Sequence, residues 1–209
     1  MKTLKKILLS PWTALVTLAL IVAVTVQGPT FVESVRLRYF DTLITREAPT
    51  ENNIYTVNID EATIDKYGQW PFKRTVYADI ISELYKRNAG LVVWDVLMPE
   101  ADRQGGDASL ALELEDHPVV LVNMPAQTNK NTAKKPGSAV IGSENIGTIV
   151  NYPGIIANIP MLEKNAYGVG IANTMEEVDG VNRRLPLFVG ANGNLYPSVP
   201  LEVLRVLAN

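Results

Sequence analysis

The chain has 209 residues, 47% hydrophobic and 20% charged, a composition that supports a packed core and argues against wholesale disorder. Its formal net charge of −3, with no Lys/Arg stripe outside the N-terminal tail, argues against nucleic-acid binding. Cysteine is absent and His117 is the only histidine, which removes disulfides, thiolate catalysis and sulfur-ligated zinc, and leaves one residue for any triad or histidine metal site.

Residues 1–6 form a short basic tail, with Lys2, Lys5 and Lys6 ahead of an apolar run from Ile7 to Val26. That run carries no charge and is roughly twenty residues long, enough to span a hydrocarbon core of about 30 Å as a helix. Pro11 lies in its first turn, where a missing N–H matters least, and Trp12 is placed for the headgroup boundary. The positive-inside rule keeps the lysines in the cytoplasm and sends the rest across. A cleaved signal peptide would need small residues at its end, but Val24-Thr25-Val26-Gln27 is bulky. Residues 7–27 are therefore read as an uncleaved anchor. From 28 to 46, Phe31, Val35, Tyr39, Phe40 and Leu43 recur at helical spacing and predict a juxtamembrane helix, either a packing face or a rod, which leaves open whether it continues the anchor.

Residues 47–209 read as one α/β domain. Ile54–Asp60 is β-rich and ends in an acid; a loop runs from Tyr67 to Arg74; a helix is expected from Thr75 to Asn88, with Val76, Ile80, Ile81, Leu84 and Tyr85 inward and Gly90 as its stop. Leu91–Leu97 is nearly unbroken apolar, as in a strand covered on both faces. Strand, helix and buried strand in that order predict a right-handed βαβ unit. Asp107 is placed to cap a helix carrying Leu110, Leu112 and Leu114, and Pro118–Asn123 gives a third strand. Gln127–Ser143 is polar and reads as a surface loop. Gly168–Asn173 and Leu185–Gly190 read as strands reversed at Asp179-Gly180, Asn192-Gly193 as a second turn, and Pro197–Leu207 as a closing helix with Val199, Val203, Leu204 and Leu207 inward. The fold class is α/β: an N-terminal transmembrane helix, then a mixed, largely parallel sheet with flanking helices.

Asn-Ile-Asp60, then Gly68-Gln-Trp70-Pro71-Phe-Lys-Arg74, then Trp94-Asp95 with Pro99-Glu100 and Asp107, then Asp179-Gly180-Val-Asn-Arg183-Arg184-Leu-Pro186 follow an apolar N-terminal span in that order. From about Glu33 to the end of the chain, this resembles the second type of CHASE domain. The resemblance implies an extracytoplasmic sensory module of a bacterial receptor in the inner membrane, with no enzymatic activity or cofactor of its own. It implies an unidentified extracytoplasmic ligand or protein as stimulus; separately, the juxtamembrane helix, along Val35, Tyr39 and Leu43, is the feature expected to carry a parallel homodimer. Further strands, a returning span and a cyclase or kinase output are expected beyond Asn209, so the chain reads as the front part of a receptor or a shortened version of one.

Asp60 and Asp95 fall at predicted strand ends, where open α/β sheets bind ligands, and Asp102 and Asp107 lie in the loop beyond. Such a rim could take a polar ligand or a divalent cation through oxygen, with Asp95 and Asp102 as the metal candidates; the plain alternative is that each acid caps a helix or orients a loop. Trp70 is read as a lid on the sheet edge, and Arg74 as a partner for a rim carboxylate. Asp179 and Arg183 are read as a hairpin in which arginine is also placed to receive an anion. A metal-dependent exported hydrolase and a membrane-tethered interaction protein are the competing readings, but no nucleophile motif or H-E-x-x-H helix supports the former.

Overall fold

The computed structural model describes residues 10–28, 30–44, 53–128, 149–173, 175–191 and 194–208. These fall into two compact units, Met1–Tyr55 with Glu176–Arg183, and Thr56–Met175 with Arg184–Asn209.

In the first unit, Ser10 opens helix α1 (Pro11–Gln27): its hydroxyl accepts the Trp12 N–H at 3.3 Å, and Pro11 occupies the first turn. The helix closes at Gly28, whose N–H reaches the Val24 carbonyl. Helix α2 (Thr30–Ile44) then leaves at 86°, so the two are separate helices and not one rod. No single helix among the described residues is long and apolar enough to cross a membrane, whereas α1 and α2 together meet that test by length and composition. Ile7, the expected start of the anchor, lies outside the described residues, and Trp12 and Val26 are both exposed. The turn 177–181 also belongs to this unit.

Ile54–Asp60, where the chain passes from the first unit into the second, is not the strand its composition predicts: it is irregular, and Tyr55 and Val57 are exposed. Strand preference is a preference for packing on a paired neighbour, and no described strand pairs with this run. Only Ile59 packs on the core, while Asp60 starts an unforeseen helix, α3 (Glu61–Tyr67). Helix α4 (Arg74–Lys86) buries Arg74, Tyr77, Ala78 and Ile81, a stripe turned from the expected one; Val76, Ile80, Leu84 and Tyr85 are half-buried against the same core.

The predicted βαβ unit exists one step later in the chain. Strand β1 (Val92–Trp94), helix α5 (Asp107–Asp116) and strand β2 (Val119–Ala126) form it, with β1 parallel to β2. Contrary to expectation β1 is short and lies at the sheet edge among the described strands, so Val93 is 43% exposed instead of covered. On α5, Leu110 and Leu114 are buried but Leu112 faces out, and Gly106, not Asp107, is the cap. Beyond β3 (Asn151–Tyr152), β4 (Gly154–Ile156) runs antiparallel along the end of β2. Helix α6 (Pro160–Asn165) leads into β5 (Gly168–Ile171), which pairs parallel with β2 on its other side.

The Asp179-Gly180 reversal joins two short strands that were not foreseen, β6 (Met175–Glu176) and β7 (Asn182–Arg184), and does not join the two strands expected around it. Strand β8 (Phe188–Ala191) instead pairs with β9 (Asn194–Pro197) and with β3. Asn192-Gly193 lies outside the described residues, as does all of 127–143 past Thr128. Helix α7 (Val199–Leu207) closes the chain, but Leu204 and Leu207 point outward and the fully buried side chain is Glu202. Gly168 and Gly170 explain this packing. A Cβ on Gly170 would lie 2.5 Å from Val199 Cα, and one on Gly168 would lie 2.5 Å from Glu202 Oε1, so only glycine lets α7 ride this close to β5.

Candidate functional site

Two arginine-centred clusters contain most of the residues singled out from the sequence. The first lies in the second unit, where α4 begins. Asp102 Oδ2 accepts the backbone N–H of Arg74 at 2.9 Å and Oδ1 that of Gln104 at 2.9 Å, so this acid caps α4 from a distant loop. Burial pushes the Asp102 carboxyl up, but these bonds and the Arg74 charge hold it below its ordinary value. Asp107 Oδ2 accepts the Asp102 N–H at 2.8 Å, and its Oδ1 stands 3.6 Å from Arg74 Nε. That last separation is an ion pair without a hydrogen bond, and both atoms are buried with no hydrogen-bond partner. Gly106 sits between the two segments, since a Cβ there would lie 2.6 Å from the Thr75 nitrogen.

Arg74 therefore meets a rim carboxylate, as expected, but the rim of four acids does not assemble. Asp60 accepts from the Thr63 N–H at 2.9 Å and hydroxyl at 2.7 Å, and these bonds lower its pKa. Asp95 is exposed just past β1. Among the described residues no group of three or more acidic or histidine side chains could hold a metal ion, Asp95 and Asp102 included. Trp70 is 40% exposed and meets Phe72 edge-on at 5.3 Å and Tyr77 at 5.8 Å, extending an aromatic row that reaches Trp94. His117 Nδ1 lies 3.2 Å from the Glu113 backbone carbonyl and from its carboxylate, and the ring packs on Tyr85, an ordinary structural setting.

The second cluster lies in the first unit. Arg183 donates from Nε and Nη2 to Asp41 of α2, both at 2.7 Å, and from Nη1 and Nη2 to Asp179 at 2.8 and 2.7 Å. Glu177 stands 3.6 Å away. The guanidinium thus grips two carboxylates bidentately, and Arg183 and Asp179 are both nearly buried. Arg183 bonding draws the Asp179 carboxyl down to about 2 and lowers Asp41 as well, while the same bonds raise the arginine. An arginine so saturated is a tie between segments, not a ready receptor for an anion.

Sequence reasoning missed the buried polar network at the end of β2. Asn123 Nδ2 donates to Glu163 at 2.7 Å; Asn158 Nδ2 donates to Asn123 Oδ1 at 2.7 Å; the Met98 N–H donates to Asn158 Oδ1 at 2.7 Å. Glu202 was missed too: it accepts the Val169 N–H at 3.2 Å and two bonds from Arg205, each at 2.8 Å. Polar residues carry no periodic signal that distinguishes a buried one from an exposed one, although Gly168-Val-Gly170 inside a strand does signal a close backbone approach. Asn123, Asn158, Glu163 and Glu202 are all buried, whereas Arg205 is 40% exposed, so both sets help to specify the core and the second reaches the surface through Arg205.

No curated protein and no solved structure matches the chain. The family model of the CHASE2 domain matches residues 16–209. That span takes in α2, both arginine clusters and every described strand, and CHASE2 domains are extracytoplasmic sensory domains, not catalytic ones. The chain belongs to the CHASE2 domain family.

Proposed function

We propose that the chain is the stimulus-receiving module of a membrane-bound bacterial receptor, with its N-terminus in the cytoplasm, α1 in the inner membrane and the α/β domain outside. The observation that carries this reading is α1 itself: seventeen residues without a charge, almost every one exposed. An apolar helix exposed all round has no aqueous explanation, and lipid is the solvent that suits it. At ~1.5 Å per residue α1 is about 25 Å long, and the uncharged residues Ile7 to Ser10 bring the apolar run to the length of a span. The lysines before it set the orientation.

The receptor works as a homodimer through α2, whose Phe31, Val35, Tyr39 and Leu43 are exposed at four-residue spacing. Two copies held in one membrane have a high effective concentration, so a modest apolar face suffices for pairing. The stimulus binds one of two conformations of the domain more tightly, which biases α2, and the output lies in the cytoplasm. Among the described residues the acidic rim does not gather three acids that could hold a metal ion, which favours the sensory reading over the exported hydrolase.

Paired reporter fusions after Asn209 test the placement. Alkaline phosphatase should be active there and a cytosol-dependent fluorescent protein dark; the reverse pattern would remove the outward-facing receiver. Single cysteines along α2 should crosslink periodically in membranes, strongest at Val35 and Tyr39, and a flat profile would remove the dimer.

A further inference from the structure

We propose that Arg183 is a two-position clamp that ties α2 to the Asp179-Gly180 turn and releases the helix at Asp41 first. This deepens the sensory reading by naming the joint through which the turn acts on α2.

The clamp has unequal sides. Asp179 lies four residues from Arg183 in the same turn, whereas Asp41 lies 142 residues away on α2. A partner in the same short loop is restored after every excursion, while a distant one is restored only by the surrounding fold, so the Asp41 side lets go first. The turn does not need Asp41 to keep its form. Gly180 N–H donates to Glu177 O at 2.9 Å, Glu177 N–H to Val181 O at 3.3 Å, and Val181 N–H to Asp179 Oδ1 at 3.3 Å.

Release does not strand a bare charge either. Glu177 already stands 3.6 Å from Arg183 Nη1, close enough to share the guanidinium when Asp41 departs. Three carboxylates around one guanidinium give it two neutralised arrangements, with the Asp41 tie to α2 made in one and open in the other, while Glu177 also faces Arg36 of α2. Such a pair of states is what a stimulus needs in order to bias a helix.

Pulsed-EPR distances test this in the full chain reconstituted in lipid nanodiscs and diluted with unlabelled protein. The sequence has no cysteine, so Val35→Cys on α2 and Val178→Cys in the turn, both exposed, are the only labelling points. The parent should give one narrow distribution. Asp41→Asn should widen it about twofold, and Asp179→Asn should widen it less. An unchanged distribution in Asp41→Asn, or equal widening by both single variants, would overturn the clamp. Circular dichroism on the same samples confirms that each variant is folded. No stimulus is used, so failure here leaves the sensory reading standing, and failure of the reporter fusions leaves the clamp standing.

Discussion

Arg74 and Arg183 are each flanked by two aspartates, yet the two clusters do different work. Around Arg74 the tightest bonds are made by the backbone: Asp102 takes the Arg74 and Gln104 N–H groups, and the guanidinium only approaches Asp107. Around Arg183 the side chain itself makes four bonds to two carboxylates. The first arrangement fixes a helix start inside a core. The second joins distant segments through one flexible group. An arginine with two acids in sequence is thus compatible with a scaffold and with a joint, and the distinction rests on whether main chain or guanidinium carries the bonds.

The comparison is broken most severely at Gly106. Gly106→Ala drives a Cβ into the Thr75 nitrogen, which cannot retreat as a side-chain tip would, and should cost about 3 kcal/mol in urea unfolding. A loss too small to measure would show that the loop and the start of α4 are not locked together. Arg74→Met keeps the packing and the Asp102 cap but leaves Asp107 buried beside no cation; the expected loss is about 2 kcal/mol. If Asp102→Ala proves harmless while Arg74→Met does not, the guanidinium and not the backbone would hold this site.

Arg183→Lys should leave the thermal midpoint unchanged and raise hydrogen exchange in α2 near Asp41, because an ammonium cannot grip two carboxylates bidentately. A shifted midpoint with unaltered exchange would make the second cluster a scaffold like the first. The smallest effect is that of pH. Asp41 and Asp179 have lowered pKa values in the fold, so their contribution is complete above the ordinary carboxylate range and is lost as pH falls toward about 2. The α2 exchange pattern should therefore be flat between neutrality and the ordinary carboxylate range and rise only below it; a change already near neutrality would point to another group.

Much of this architecture is legible where the signal is local. The α4 helix, β2, the Asp179-Gly180 reversal and the meeting of Arg74 with a rim acid follow from spacing and turn chemistry. Ile54–Asp60 fails because a strand exists only with a neighbour, and pairing is non-local. The expected acid rim fails for a related reason: Asp60 satisfies its own helix end, and Asp102 reaches back to one that begins 28 residues earlier. Asp41, which gives Arg183 its long-range partner, lies in α2, 142 residues from the Asp-Gly-x-x-Arg pattern, so no reading of that pattern alone would have found it.

The 86° corner at Gly28 sets the mechanics. A straight rod could push or pull on the bilayer like a piston. Under the proposed placement of α1 in lipid, α2 would run along the membrane surface with Asp41 about 17 Å out from the corner at ~1.5 Å per residue. A sideways tug at that point would then turn α1 about its own axis, the action of a crank, whose output is torque.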